Sequence, residues 1–191
     1  HVCEFHYLHR NPDGQDYPDP AEMTWALVRA AGKVGIGLTM LPTLYMNQGF
    51  GQAGLNPMQR RFASTPESIL DTQQSVIQYA HSIGNQSCLT SGVAIHSLRA
   101  VAQAEILSLT SLSGSAPVHI HVAEQTKEVA DCIAHTGLRP VEWLLAHAKL
   151  DARWNLVHAT HSTVAEINGI QAQQASVVIC PTTEANLGDG F

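Results

Sequence analysis

Short apolar runs alternate with longer amphipathic stretches along this chain. Six of the runs have the length and the apolar residues of short buried strands, and turn residues or helix-start signals separate them. An alternation of strands and helices is typical of a parallel sheet that helices cover. The predicted strands are residues 1–8, 36–42, 88–94, 117–122, 154–158 and 176–180.

The segments between these strands carry the signals of helix ends. Asp19, Pro20 and Glu22 suit the N-cap, first and third positions of a helix that continues to Gly32 or Gly35. Residues 43–63 contain several glycines and are predicted as a long loop, which in a compact domain is usually functional. The other predicted helices cover about 65–80, 101–107, 125–135, 139–148 and 162–173, and the chain ends in a predicted loop.

Two fold classes are compatible with this alternation, a doubly wound open sheet and a (β/α) barrel. Neither a Gly-x-Gly-x-x-Gly nor a Walker motif follows any strand, so the first class lacks its usual nucleotide-binding signature. Four polar residues instead lie at or just past strand ends, where barrels carry their chemistry: His96, His121, Glu124 and His158. We therefore predict an α/β fold, a partial TIM-type (β/α)8 barrel, with residues 1–191 as a single domain.

Composition and charge exclude several classes of protein. The chain is 45% hydrophobic and 14% charged, which is typical of a globular protein. Its net charge is −6 and its Lys and Arg residues are scattered, so neither nucleic acid nor an anionic membrane surface is an expected partner. No apolar run approaches the roughly 20 residues of a membrane span, and the N-terminus lacks a signal-peptide pattern. Four distant cysteines without a CxxC motif indicate reduced thiols in a cytoplasmic protein.

The stretch Pro117–Gln125 reads as a buried strand followed by a glutamate. His119 and His121 share one face of that strand, and Glu124 lies where the following loop can turn back toward His121. A neutral imidazole is a good ligand for zinc or iron, and a carboxylate beside it can carry protons. The structural alternative is a pair of hydrogen-bonded core histidines with a helix-capping glutamate. Eleven histidines in the chain, an unusual number, weakly favour metal chemistry.

Three further segments place polar residues at strand ends. His158 and His161 follow the strand 154–158, His96 and Arg99 follow the strand 88–94, and a polar run occupies 182–190. Each has an ordinary explanation, as a helix cap, a surface residue of a first helical turn, or a polar loop. Their repetition at successive strand ends favours a functional site.

The motifs His121–Glu124, His158–His161 and Asn186–Gly190 resemble the aminohydrolase branch of the amidohydrolase superfamily. Within that branch, further segments resemble the formimidoylglutamate deiminases, so that the resemblance covers essentially the whole chain. These segments are residues 4–7, 41–42, 49–51, 59–62, 96–100 and 183–190.

The resemblance implies a role for each matching residue. His121 would be a ligand of a single catalytic Zn²⁺, with Fe²⁺ as the alternative, Glu124 would transfer protons, and His158 would polarise or hold the water at the metal. Tyr7, His96 and Arg99 would bind the substrate.

The implied reaction is hydrolysis of N-formimino-L-glutamate, a step of histidine degradation, to N-formyl-L-glutamate and ammonia. The guanidinium of Arg99 suits one carboxylate of this small dicarboxylate substrate. The alternatives are an aminohydrolase acting on a guanine- or triazine-like ring and a domain without activity.

The chain also departs from the family pattern. The family's His-x-His pair belongs to the first barrel strand and its metal-binding aspartate to the last, and residues 1–191 offer neither. His119 is assigned to the barrel interior rather than to that pair, and Asp189 lies in a different loop from that aspartate. The chain is interpreted as about strands two to seven, without the family's small β-rich domain. With one identifiable ligand, we expect weak or no metal binding and no activity from this chain alone. Exposed strand edges also favour a homodimer.

Overall fold

The computed structural model describes residues 1–190, in which strands alternate with helices. The strands are β1 Val2–His6, β2 Leu38–Leu44, β3 Leu89–Ser91, β4 Val93–Ile95, β5 Val118–Val122, β6 Trp154–His158 and β7 Ser176–Val178. The helices are α1 Glu22–Val34, α2 Pro66–Ser82, α3 Gln103–Leu112, α4 Thr126–Thr136, α5 Pro140–His147, α6 Val164–Ala172 and α7 Pro181–Leu187. A 3-10 turn, Arg60–Phe62, lies in the long loop after β2.

All strand pairs are parallel, and the sheet runs in the order β1-β2-β4-β5-β6-β7, with β3 beside β2. The sheet is curled into a half-barrel of six strand positions, and the predicted α/β barrel-type fold is confirmed. Because parallel neighbours point the same way, the carboxyl ends of the strands, and the polar residues there, gather on one side.

The predicted strand 88–94 is divided in two at Gly92. β3 pairs with the first half of β2, whereas β4 pairs with its last residues and with β5. A Cβ atom on Gly92 would lie 2.5 Å from the carbonyl oxygen of Pro117 and 2.9 Å from a methyl carbon of Leu41. Only glycine allows the two backbones to approach this closely.

The core consists of two hydrophobic clusters on the helix-covered face of the sheet. The larger one joins β4, β5 and β6 to α3, α4 and α5, with Trp154 and Ile120 fully buried in it. A smaller cluster, which includes Met40 and Val76, joins β2 and β3 to α1 and α2. The alternation of β5 explains its part, because Val118, Ile120 and Val122 all point into the larger cluster.

The structure also differs from the prediction at helix α1, at the last strand and in the terminal loop. Helix α1 begins at Glu22 rather than Pro20, because the Asp19 carboxylate accepts a hydrogen bond from the Ala21 N–H and closes a turn before the helix. The predicted terminal loop contains helix α7. The last strand is shorter than predicted and largely exposed, since it pairs with β6 alone.

Within residues 1–190, no helix combines the length and the hydrophobicity that crossing a membrane would require.

Candidate active site

A cavity of about 290 Å³ opens at the carboxyl ends of β1, β4, β5 and β6. It is lined by all six residues that the sequence singled out for chemistry or substrate binding: Tyr7, His96, Arg99, His121, Glu124 and His158. They come from four different strand ends and are brought together by the parallel arrangement of the sheet. Their proximity is therefore a property of the fold.

His121, near the end of β5, is held in a definite orientation. Its Nδ1 lies 3.0 Å from the backbone carbonyl oxygen of His96, and the Phe5 ring packs on it at a centroid distance of 4.0 Å. Since a carbonyl can only accept, Nδ1 carries the proton and Nε2 keeps its lone pair. Burial lowers the pKa of His121 to about 4, so the ring is neutral at physiological pH.

His96 and Tyr7 form an aromatic wall beside this histidine. The His96 ring lies 5.5 Å from the Tyr7 ring and 4.5 Å from the Tyr45 ring, and its Nδ1 contacts the Ser97 hydroxyl at 3.0 Å. Burial, together with the neighbouring His121 and Arg99, lowers the pKa of His96 to about 3. A neutral His96 therefore offers a hydrogen-bonding group rather than a charge.

Arg99 is the cationic group of this cavity. Within residues 1–190, the ion pairs at 4.0 Å or less do not include it, and its guanidinium donates only a long hydrogen bond of 3.4 Å to the Tyr45 hydroxyl. Arg99 also borders a neighbouring cavity of about 550 Å³ that Phe50 and Trp143 help to wall. A half-buried guanidinium with most of its donors uncommitted is suited to bind a carboxylate.

Glu124 and His158 face each other across the cavity. His158 Nε2 lies 3.3 Å from Glu124 Oε1, so Glu124 turns toward β6 rather than toward His121 as the sequence suggested. Burial raises the pKa of Glu124; His158 opposes that rise and Asp189 adds to it. A carboxyl group whose pKa lies above its ordinary value, beside an imidazole, is well suited to accept and return a proton.

Two carboxylates that sequence reasoning did not select support this pair. Glu128, in the first turn of α4, accepts 2.9 Å hydrogen bonds from the backbone N–H groups of Ala123 and Glu124. Glu184, in the first turn of α7, lies 3.0 Å from His158 Nδ1. Glu184 lay in a segment noted as polar, but its position became apparent only from the helix that carries it. A carboxylate four residues after Glu124 was the available signal for Glu128.

His119 is buried, which agrees with its assignment to the barrel interior. It is 6% exposed, and the ring of Phe5 meets it edge-on at 6.0 Å. Burial lowers its pKa to about 4.

The local geometry of His121 fits a metal ligand, whereas the set of neighbouring ligands does not complete a site. A neutral ring with Nδ1 fixed by a carbonyl and Nε2 free is the usual state of a metal-binding histidine. Within residues 1–190, however, the close group of three potential ligands consists of His158, Cys180 and Glu184 and does not include His121. A catalytic zinc has about three protein ligands.

Residues 21–191 match the model of the amidohydrolase family. The chain is 44% identical over all 191 residues to formimidoylglutamate deiminase of Pseudomonas aeruginosa, of which it covers 41%. The chain thus spans about two fifths of the length of this curated relative.

Solved structures show the same architecture. The crystal structure of an amidohydrolase from Brucella melitensis superposes with a TM-score of 0.92 at 48% identity, covering 98% of this chain and 41% of that one. Guanine deaminase from C. acetobutylicum with bound guanine superposes with a TM-score of 0.70 over 89% of this chain and 39% of its own; at 19% identity it supports the fold alone.

Proposed function

This chain belongs to the amidohydrolase family, and we propose that it forms the larger part of the active site of a formimidoylglutamate deiminase. The reaction proposed is the hydrolysis of N-formimino-L-glutamate to N-formyl-L-glutamate and ammonia, as a step of histidine degradation. The observation that carries this proposal is a half-buried Arg99, without an ion pair among residues 1–190, in the same cavity as the Glu124–His158 pair. A dicarboxylate substrate supplies a carboxylate that can contact this guanidinium directly.

The cavity supplies a distinct role for each side chain. Arg99 would bind one substrate carboxylate, and His96 and Tyr7 would offer neutral hydrogen-bonding groups along the substrate. Their position beside His121 would direct the formimino carbon toward that residue.

Glu124 would perform the proton transfers. Water adds to the formimino carbon, and its proton passes to the Glu124 carboxylate. That proton passes to the imino nitrogen, which gives a tetrahedral carbon with one hydroxyl and one amino group. Glu124 then takes the hydroxyl proton and delivers it to the amino group, the C–N bond breaks, and ammonia leaves as the carbonyl forms. His158, whose Nε2 lies 3.3 Å from Glu124, would orient the attacking water and accept a hydrogen bond from the Glu124 carboxyl when it is protonated.

Members of this family are generally metal-dependent. We propose zinc, with His121 as the ligand that this chain contributes and Fe²⁺ as the alternative ion. A bound zinc would polarise water and lower its pKa toward neutrality. The remaining ligands would have to come from outside the residues described here.

A chimaera tests the proposed activity. The 191 residues would replace the matching segment of the Pseudomonas aeruginosa relative, and ammonia release from N-formimino-L-glutamate would be measured. We expect turnover by the chimaera and none by a His121→Ala version. A folded, metal-loaded chimaera that leaves N-formimino-L-glutamate intact would contradict the proposal.

The second candidate is an aminohydrolase acting on a neutral ring, for which the aromatic wall of Tyr7 and His96 offers a stacking surface. Guanine and a chlorinated triazine serve as competing substrates in the same assay. Turnover of either one in preference to N-formimino-L-glutamate would establish this candidate.

Two further expectations accompany the proposed activity. Among residues 1–190, β1 and β7 are the two edges of the sheet, so we propose that two copies associate through these edges. A single monomeric species by light scattering across the micromolar range would exclude this association. We also propose a cytoplasmic location, which the four free cysteines support.

A further inference from the structure

The backbone around His158 is held in an unusual conformation. His158 has a φ of 71° and Ala159 a φ of 51°, both in the left-handed region that residues with a side chain rarely adopt. The Ala159 N–H donates to the Val122 carbonyl at 2.9 Å, and the His161 N–H donates to the Ala123 carbonyl at 3.0 Å. Such a conformation persists only where surrounding contacts determine it. The bend places the His158 ring between the carboxylates of Glu124 and Glu184.

The carboxylate on the far side of the ring belongs to Glu184, which is 5% exposed. Its Oε1 lies 3.0 Å from His158 Nδ1 and accepts a second hydrogen bond, of 2.9 Å, from the Cys180 N–H. These hydrogen bonds hold the pKa of Glu184 below its usual range, so the group is an ionised acceptor. An ionised carboxylate cannot donate, and the shared proton must therefore lie on His158 Nδ1.

We propose that Glu184 is a positioning residue for His158, fixing the ring with its Nδ1–H toward helix α7 and its Nε2 toward Glu124 and the reacting atoms. The effect of Glu184 on catalysis rests on the proposed function, whereas its effect on the orientation of the His158 ring does not. With Nδ1 committed, only Nε2 can exchange protons with Glu124, 3.3 Å away. Glu184 thus acts on the reaction through His158 and without contact to the substrate.

An alternative use of the same side chains is a metal site formed by His158, Cys180 and Glu184, whose potential ligand atoms lie within 4.8 Å of one another. An ion there would have to displace the hydrogen bond between His158 and Glu184. Oε1 of Glu184 already accepts two hydrogen bonds, which favours the positioning role.

The geometric test is a long-range ¹H–¹⁵N correlation of the histidine rings in the 191-residue chain, with His158 identified by its loss in His158→Gln. We expect Nδ1 to be protonated and its proton to resonate far downfield, as for a hydrogen bond to a carboxylate. In Glu184→Gln the amide oxygen still accepts, so the tautomer should be retained while the proton moves upfield. In Glu184→Ala we expect a mixture of tautomers. An unchanged Nδ1 proton in a folded Glu184→Gln chain would overturn the proposal, even if Glu184→Ala fails to fold.

Cys180→Ala is the matched control, because it removes the thiol and keeps the backbone N–H that Glu184 accepts. We expect it to leave the His158 signals unchanged. If added Zn²⁺ shifts those signals in the wild-type chain but not in Cys180→Ala, the cluster is an ion site and the positioning role is wrong.

Kinetics in the chimaera provide the functional measurement. Glu184→Ala should lower kcat by about 10- to 100-fold with KM nearly unchanged, and Glu184→Gln should recover part of the loss, since substitutions beside a metal or catalytic histidine have effects of this size. Equal changes in KM and kcat would contradict a role through His158. If the chimaera has no activity on N-formimino-L-glutamate at all, the proposed function fails. The ¹H–¹⁵N correlation of the His158 ring would still decide whether Glu184 positions it.

Discussion

Arg99 is the residue whose substitution separates the candidate substrates. Its guanidinium lines the cavity, and within residues 1–190 its side chain has no carboxylate partner within 4.0 Å. If it binds a substrate carboxylate, Arg99→Ala in the chimaera should raise KM for N-formimino-L-glutamate by about 10- to 100-fold, the equivalent of a charged hydrogen bond of about 1.5–3 kcal/mol. Steady-state kinetics would measure it.

Arg29→Ala is the matched control, because Arg29 is exposed, lies far from the cavity lining and pairs with Glu22 on helix α1. It should leave KM unchanged. An unchanged KM in Arg99→Ala as well would favour a neutral ring as the substrate.

At single-residue level, the sequence located the cavity but not its supporting contacts. His96, Arg99, His121 and His158 could be grouped because parallel strands bring their ends together, whereas Tyr7 was selected through the family resemblance. Glu128 and Glu184 could not, since their importance depends on which backbone N–H or ring nitrogen each carboxylate meets. These distances follow from the bends at Ala123 and His158, which no local pattern predicts.

Among the elements, the divided strand at Gly92 gives a sharp prediction about stability. In Gly92→Ala the new methyl group would meet the Pro117 carbonyl oxygen and the Leu41 side chain, so β4 must move away from β5. We expect the free energy of unfolding to fall by about 1–3 kcal/mol, as for overpacking in a core. Urea denaturation followed by circular dichroism would measure it.

Gly32→Ala in helix α1 is the control for that substitution. Among residues 1–190, no heavy atom beyond the adjacent residues and the helix's own backbone lies within 4 Å of the new Cβ there, and alanine is the better helix former. Gly32→Ala should stabilise the chain by about 0.5–1 kcal/mol. If both variants changed stability equally, the close approach at Gly92 would not explain the divided strand.

Helices α5 and α6 are joined by an ion pair that predicts a dependence on pH. Glu166 is 4% exposed and accepts hydrogen bonds from the Thr163 N–H at 2.7 Å and from Arg139 Nε at 3.0 Å. Burial alone would raise the pKa of Glu166, but these hydrogen bonds and the charge of Arg139 hold it below its usual value. The carboxylate therefore binds a proton more weakly in the folded chain than in the unfolded one.

It follows that Glu166 stabilises the fold above its unfolded pKa, near 4.3 for a free glutamate, and that this contribution disappears as pH falls through the lower folded value. In Glu166→Gln, unfolding free energy should decline less steeply between about pH 5 and pH 3 than in the wild type. Glu22→Gln, which removes a half-exposed partner of Arg29, is the control and should follow the wild-type curve. Parallel curves for wild type and Glu166→Gln would refute the prediction.

Strand β6 and helix α7 show which sequence signals are sufficient to predict an element and which are not. Strand β6 was predicted with its observed bounds, because a mainly apolar run of five residues is long enough for a strand and too short for a helix. Helix α7 was predicted as a loop, since its polar residues carry no apolar stripe and Gly188 closes it after seven residues. Its stabilising contact, from Glu184 to His158, joins residues 26 positions apart and so is not visible in a local pattern.

For the whole molecule, metal content is the decisive measurement. Within residues 1–190, His121 has the orientation of a ligand, yet the close group of potential ligands excludes it. One histidine holds zinc weakly, because a catalytic site uses about three protein ligands. Elemental analysis of the 191-residue chain, purified without added metal, should therefore give far less than one zinc per chain, and the chimaera should give about one.

The controls are two substitutions in the chimaera. Metal should be lost with His121→Ala and retained with Cys180→Ala, because Cys180 belongs to the group with His158 and Glu184, which does not include His121. One zinc per chain in the 191 residues alone would contradict this expectation. Residues of this chain or of a second copy would then complete the site, and the edges of the sheet, β1 and β7, are where those ligands would be sought.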